Sequence, residues 1–118
     1  MKNIEKNVKI SMLNEIYGNL LTKKQYEIID NYYNSDLSLS EIAENNKITR
    51  QAVRDILKKG ENKLFEYEEK LHFMKRTLNQ EEKIGKVLEE LTKIQDNDSD
   101  KHIARILENI KKELNCLV

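Results

Sequence analysis

Arg50, Gln51 and Arg54 open a stretch whose spacing turns three hydrogen-bonding side chains outward together, and the chemistry they suit is the reading of base edges. An Arg guanidinium can donate two parallel hydrogen bonds to O6 and N7 of guanine, and a Gln amide can pair with adenine through one donor and one acceptor. Lys47, Lys58, Lys59 and Lys63 around them carry point charges suited to phosphate oxygens. At about 100° per residue, Val53, Ile56, Leu57 and Gly60 share one side of a helix. The opposite side carries Gln51, Arg54, Asp55 and Lys58, with Arg50 at its edge.

A helix presents such a face to a groove only if other elements set its angle, and residues 38–58, SLSEIAENNKITRQAVRDILK, contain that setting. Ser38 followed three residues later by Glu41 is a capping box, so a helix starts at Leu39. Its apolar residues Leu39, Ile42 and Ala43 form one stripe over about two turns, after which Asn45, Asn46 and Lys47 break the period. Ile48 is placed to plug the space between two helices, and Thr49 is a preferred N-cap for a second helix beginning at Arg50. A short helix, a turn and a cationic second helix make a helix-turn-helix.

Tyr17-Gly18, Leu20-Leu21-Thr22, Gln25, Tyr32-Tyr33, Asp36-Leu37-Ser38-Leu39, Glu41-Ile42-Ala43-Glu44, Arg50-Gln51-Ala52-Val53 and Glu66-Tyr67-Glu68-Glu69-Lys70-Leu71 together resemble the YlxM-like family of small bacterial DNA-binding proteins, over roughly residues 10 to 75. The helix-turn-helix alone is similar to region 4 of bacterial sigma factors, which reads the promoter −35 element, a module shared by many regulators. The strings YYxxDLSLxEIAE and EYEEKL are the more specific signature. The resemblance implies an all-α cytoplasmic protein of regulatory role. Through the gene neighbourhood of such proteins, it also implies a part in the signal recognition particle pathway.

Two departures from the family pattern involve three positions. Relatives carry a hydrophobic residue and then Gly ahead of the Ile-Ser/Thr-Arg-Gln string, where this chain has Asn46 and Lys47. Gly takes positive φ without a Cβ clash, and a non-Gly residue there costs about 1 kcal/mol. Arg54 stands where relatives have an aromatic residue, commonly Tyr, so the exposed face here is more cationic.

At 118 residues the chain has the size of one domain, and 38% hydrophobic content supplies a modest core. Proline is absent, glycine is limited to Gly18, Gly60 and Gly85, and no strand-like alternation runs beyond a few residues. The fold class that follows is all-α. The 21 basic and 21 acidic residues cancel, which removes the uniformly basic signature of many nucleic-acid binders. Lys47 to Lys63 nevertheless holds six cations against two anions, so this stretch is +4 and the rest of the chain −4. Such a chain suits double-stranded DNA held through one helix, but neutrality overall predicts weak non-specific affinity that fades with salt and argues against tight binding by a single copy.

A lone cysteine, Cys116, excludes an intramolecular disulfide framework. With no signal peptide and no apolar run of about 18 residues, a soluble cytoplasmic protein without membrane insertion is expected. His72 and His102 lack a second Cys or His at metal spacing. Asp96, Asp98 and Asp100 begin like a calcium loop, but Lys101 and Leu107 occupy the places of its Gly and Glu, which leaves a solvated turn. No glycine-rich phosphate loop or motif-placed carboxylate pair is present, and Cys116 has no general base beside it. Neither catalysis, cofactor, metal nor small-molecule ligand is expected.

Residues 2 to 17 spell a first amphipathic helix with Ile10, Leu13 and Tyr17 on one side and Gly18 as its stop. Thr22 with Gln25 opens a helix through Tyr33 that should back the helix-turn-helix. It buries Ile28, Ile29, Tyr26 and one or both of Tyr32 and Tyr33; tyrosines at such spacing belong to a core, with hydroxyls at its rim. From Thr49 no stop is visible until about Thr77, and Val53, Leu57, Gly60, Leu64, Tyr67, Leu71, Met74 and Leu78 recur at spacings of four and three. This heptad seam has uneven volumes, which leaves two covers open: the chain's own N- and C-terminal helices, or a second copy.

Asn79 with Glu82 reads as a capping pattern for a helix carrying Ile84, Val87, Leu88, Leu91 and Ile94. Asp96 to Asp100 interrupts it, and Ile103, Ile106, Leu107, Ile110, Leu114 and Leu117 resume the pattern in a helical hairpin whose apolar faces need a cover. The expected organisation is a helix-turn-helix domain over 1–78, including the N-terminal helix and the long third helix of this unit from Thr49, and a hairpin over 79–118 for packing or dimerisation. A homodimer through the long third helix and the hairpin is the corresponding assembly. The competing function is a non-enzymatic protein-interaction module that keeps the helix-turn-helix as a scaffold. RNA is a third partner, weakened by the lack of an exposed aromatic stacking platform.

Overall fold

A computed structural model describes residues 5–97 and 100–116. The helices are α1 Lys6–Tyr17, α2 Lys23–Tyr33, α3 Leu39–Asn46, α4 Arg50–Leu71, α5 Phe73–Asn97 and α6 Lys101–Asn115, with a 3-10 turn Gly18–Leu20 after α1. The class is all-α, as the glycine and proline content and the apolar spacing require. The chain divides into two compact units that part between Met74 and Lys75, where the sequence spacing places the change at 78/79.

The first unit closes around side chains from four helices. Ile10, Leu13 and Tyr17 of α1, Ile28 and Ile29 of α2, Ile42 and Ala43 of α3, and Val53, Leu57 and Leu64 of α4 are buried, with Met74 beneath the start of α5. Each fully buried aliphatic side chain contributes about 1.5–3 kcal/mol, and these residues form the platform that holds α4. Gly60 sets how near α4 comes to α2. A Cβ there would stand 2.6 Å from Ile29 Cδ1, so the helix-interior glycine, which costs about 1 kcal/mol against alanine, is offset by close packing.

Local signals set α2 and α3. Thr22 Oγ1 accepts from Gln25 N at 3.1 Å while Gln25 Oε1 accepts from Thr22 N at 3.1 Å, a complete capping box. Five expectations need correction. Residues 2–4 of the first helix lie outside the described residues, and Gly18 is not a left-handed stop: its φ of −55° is right-handed and it starts the 3-10 turn. What requires glycine there is the ring of Tyr26, which a Cβ would meet. Tyr26 itself is 41% exposed and Tyr32 is exposed also, so the buried tyrosine of the core is Tyr17, with Tyr33 and Tyr67 half-buried.

The other three corrections concern the joint after α4. The helix ends at Leu71, not near Thr77, because His72 takes a left-handed φ of 56° and its N–H donates to Glu68 O at 2.8 Å. A polar cluster holds the break. Tyr17 donates its hydroxyl to Glu68 Oε1 at 2.7 Å, Met74 N donates to the same carboxylate at 3.0 Å, and Phe73 N donates to Tyr17 Oη at 3.2 Å. Glu68 is thus a buried carboxylate at the N-terminus of α5, where the helix dipole favours negative charge. The seam therefore stops being continuous: Leu64 is buried, Leu71 is 40% exposed, and Met74 and Leu78 belong to α5. Asn79 and Glu82 lie inside α5 rather than at its start, so their capping spacing is not used.

In the second unit Asp100 caps α6, its Oδ1 accepting from His102 N at 2.8 Å. Asp98 and Leu117, assigned from sequence to the acidic turn and to the apolar stripe, lie outside the described residues. Ile84 and Leu107 are buried, and Leu88, Leu91 and Leu114 half-buried. No helix among the described residues is long and apolar enough to cross a membrane.

Candidate nucleic-acid interface

Three local devices fix the angle between α3 and α4. Ser38 Oγ accepts from Glu41 N at 3.1 Å and Glu41 Oε1 accepts from Ser38 N at 3.3 Å, which starts α3 at Leu39. At its other end Lys47 takes φ 56°, ψ 42°, its N–H donating to Glu44 O at 3.2 Å, and Ile48 N donates to Ala43 O at 3.0 Å. This is a Schellman motif with lysine where glycine is favoured. Thr49 Oγ1 then accepts from Ala52 N at 3.0 Å and α4 begins. All three devices were expected from the sequence.

With Val53, Leu57 and Gly60 buried, the opposite side of α4 faces solvent. Arg50, Gln51, Arg54, Asp55, Lys58 and Lys59 are all exposed there, and Lys47 is exposed in the turn before them. From Arg50 to Lys58 the helix rises about 12 Å, comparable to the width of the DNA major groove. Among the described residues none of Lys47, Arg50, Arg54, Lys58, Lys59 or Lys63 forms an ion pair. Asp55 does not pair with Lys59 one turn on; its Oδ1 accepts from Gln51 Nε2 at 3.1 Å.

The predicted residues are not all brought together. Lys63 is exposed, but at about 100° per residue it stands about 180° round α4 from Arg54 and about 140° from Lys58. Glu61, near the end of the cationic face, is held by the hydroxyl of Tyr33 from α2. One cation escaped the sequence reading. Lys24 of α2 donates from Nζ to Asn46 Oδ1 at 2.8 Å, and Asn46 Nδ2 donates to Ile42 O at 2.8 Å. This brings a further positive charge beside the turn that carries Lys47. Lys24 and Asn46 are 22 residues apart, so no local spacing announces the contact.

Comparison with known proteins adds the following. Residues 4–113 match the family model described as "UPF0122: Putative helix-turn-helix protein, YlxM / p13 like", which takes in both units. A UPF0122 protein of Clostridium kluyveri is 43% identical over 108 residues, 92% of this chain and 94% of its own length. One from Clostridium botulinum is 46% identical over 88 residues, covering 75% of this chain and 81% of its own. One from Fusobacterium nucleatum is 38% identical over 103 residues, 87% of this chain and 93% of its own.

Proposed function

We propose that this chain, which belongs to the UPF0122 family of YlxM/p13-like helix-turn-helix proteins, is a DNA-binding regulatory protein of the cytoplasm that lays α4 in the major groove of double-stranded DNA. The observation that carries this reading is the exposed cationic face of α4, free of ion pairs and mounted behind a capped α3 and a left-handed turn. Arg50, Gln51 and Arg54 in the first two turns are the base readers, because the N-terminal residues of a groove-inserted helix reach base edges. Lys47, Lys58 and Lys59 hold phosphates and fix register. Lys63, about 180° round α4 from Arg54 but about 40° from Lys59, contributes to the long-range field and not to base reading. No step of this function requires bond chemistry, and the reading is of a non-enzymatic protein.

Selection of genomic fragments by the purified protein at two salt concentrations tests it. A common motif enriched at low salt and kept at the higher one supports groove reading. Motif-free recovery that salt abolishes contradicts it.

A second reading, a protein-interaction module of the signal recognition particle pathway, is favoured by the zero net charge and by the exposed aliphatic residues of α5 and α6. In that case α3 and α4 act as a scaffold. Affinity recovery from lysate with and without nuclease separates the two, since a partner retained after nuclease does not depend on a nucleic-acid bridge.

A further inference from the structure

The second unit leaves an apolar face uncovered. Gln95 of α5 donates through Nε2 to Ala104 O at 3.3 Å and to Glu108 Oε2 at 3.2 Å, and its Oε1 accepts from Lys111 Nζ at 3.2 Å. Lys111 lies ten residues beyond Lys101, so a bond to Gln95 near the end of α5 requires the two helices to fold back alongside one another. The same bonds define the sides on which they meet: that of Gln95 on α5, and that of Ala104 and Lys111 on α6.

The exposed apolar residues lie elsewhere. At about 100° per residue, Val87 and Ile94 stand about 80–100° round α5 from Gln95, and Ile103, Ile106 and Ile110 about 80–160° round α6 from Ala104 and Lys111. Both displacements run in the same rotational sense, and in antiparallel helices that brings both stripes to one face of the hairpin. In the whole chain these five residues are 38–51% exposed. Buried Ile84 and Leu107, with half-buried Leu91 and Leu114, lie between them.

We infer that this face docks the same face of a second copy, the two hairpins closing into an antiparallel four-helix bundle. Area supports that occupant. Five aliphatic side chains so exposed amount to about 400 Å² of apolar surface per copy, and with a polar rim at the usual apolar share of about 60% the contact reaches about 700 Å², close to the ~800 Å² per partner of a standard interface. Symmetry fits it on α5: a two-fold axis crossing that helix near residue 90 lays Val87 against Ile94 of the second copy. The α4 seam does not compete for this role, because Val53, Leu57 and Leu64 are already buried.

The pairing deepens the DNA-binding reading, on which it rests for its purpose: it would present α4 twice, as a neutral chain needs for useful affinity. Sedimentation equilibrium of the full chain at about 100 μM, above the micromolar Kd that bounds standard interfaces, should give twice the 14.0 kDa mass. The Ile94→Glu/Ile106→Glu protein should give the single mass with unchanged helical circular dichroism. A single-mass wild type, or a dimer that survives both substitutions, overturns the inference. Should the charged variant fail to fold, oxidation of a Cys116→Ser protein carrying Val87→Cys and Ile94→Cys replaces it. Those positions are about 10 Å apart along one helix, too far to bridge within a chain, so a covalent dimer supports the face-to-face pairing and its absence overturns it. A dimer that binds no DNA removes the reading of α4 alone; a monomer that binds DNA removes this inference alone.

Discussion

Gln51 donates from Nε2 to Asp55 Oδ1, 3.1 Å away and one turn further along the exposed face of α4. One candidate base reader is thus held by an anion of that face, and DNA must compete for it. Asp55→Ala releases the amide and removes a charge that phosphates repel. Binding to mixed-sequence duplex should tighten by about 0.5–1 kcal/mol, some 2- to 5-fold, at low salt. Fluorescence anisotropy checks this, and weaker binding would show that Asp55 itself accepts a hydrogen bond from the DNA.

Arg54 and Lys58 are given different tasks, and their substitutions should differ in kind. Arg54→Ala should cost about 1–3 kcal/mol on a selected site and relax the choice at one base pair. Lys58→Ala should weaken every sequence alike and flatten the slope of log K against log salt by about one unit. Titrations of both variants on matched and mismatched duplexes over a salt series separate the effects.

Lys47 pays for its place with a left-handed backbone, φ 56°, ψ 42°. Lys47→Gly should stabilise the fold by about 1 kcal/mol by removing the Cβ clash, raising the urea midpoint. The same substitution should lower DNA affinity, because it deletes a cation proposed to hold phosphate. A rise in both quantities would remove Lys47 from the interface.

The sequence made some of this legible and hid the rest for physical reasons. The boxes Thr22/Gln25 and Ser38/Glu41 and the Thr49 cap are three-residue devices whose partners lie within one turn, so spacing alone reveals them. The end of α4 at His72 is a long-range event. Its polar cluster needs Tyr17, 51 residues from Glu68, while the four-and-three apolar spacing runs straight through the break and suggests a continuous helix. Gly18 misled in the same way, since the ring of Tyr26 explains it and a left-handed cap does not. Around the candidate interface, the contact of Lys24 was not legible because its partner Asn46 is remote in sequence, and proximity along the chain did not show that Lys63 stands about 180° round α4 from Arg54.

Tyr33 of α2 gives a pH signature unrelated to DNA. Burial, and then its hydrogen bond to Glu61 of α4, hold the phenol well above the ordinary tyrosine range. The folded state therefore keeps a proton that the unfolded chain loses from about pH 10 upward. Its contribution to stability is complete below that pH and declines as the pH rises beyond it. Urea unfolding at pH 9 to about 11 should show a steeper loss for the wild type than for Tyr33→Phe; parallel profiles would contradict the α2 to α4 link.

The central claim is that the free cationic face of α4 binds DNA. Its most direct test is anisotropy of a selected duplex with the wild type and with the Arg50→Ala/Arg54→Ala/Lys58→Ala protein, at matched salt and with folding verified by circular dichroism. Loss of more than about 100-fold in affinity is the predicted result, given two base-reading arginines and one phosphate contact. An unchanged Kd in the folded triple variant would contradict the account.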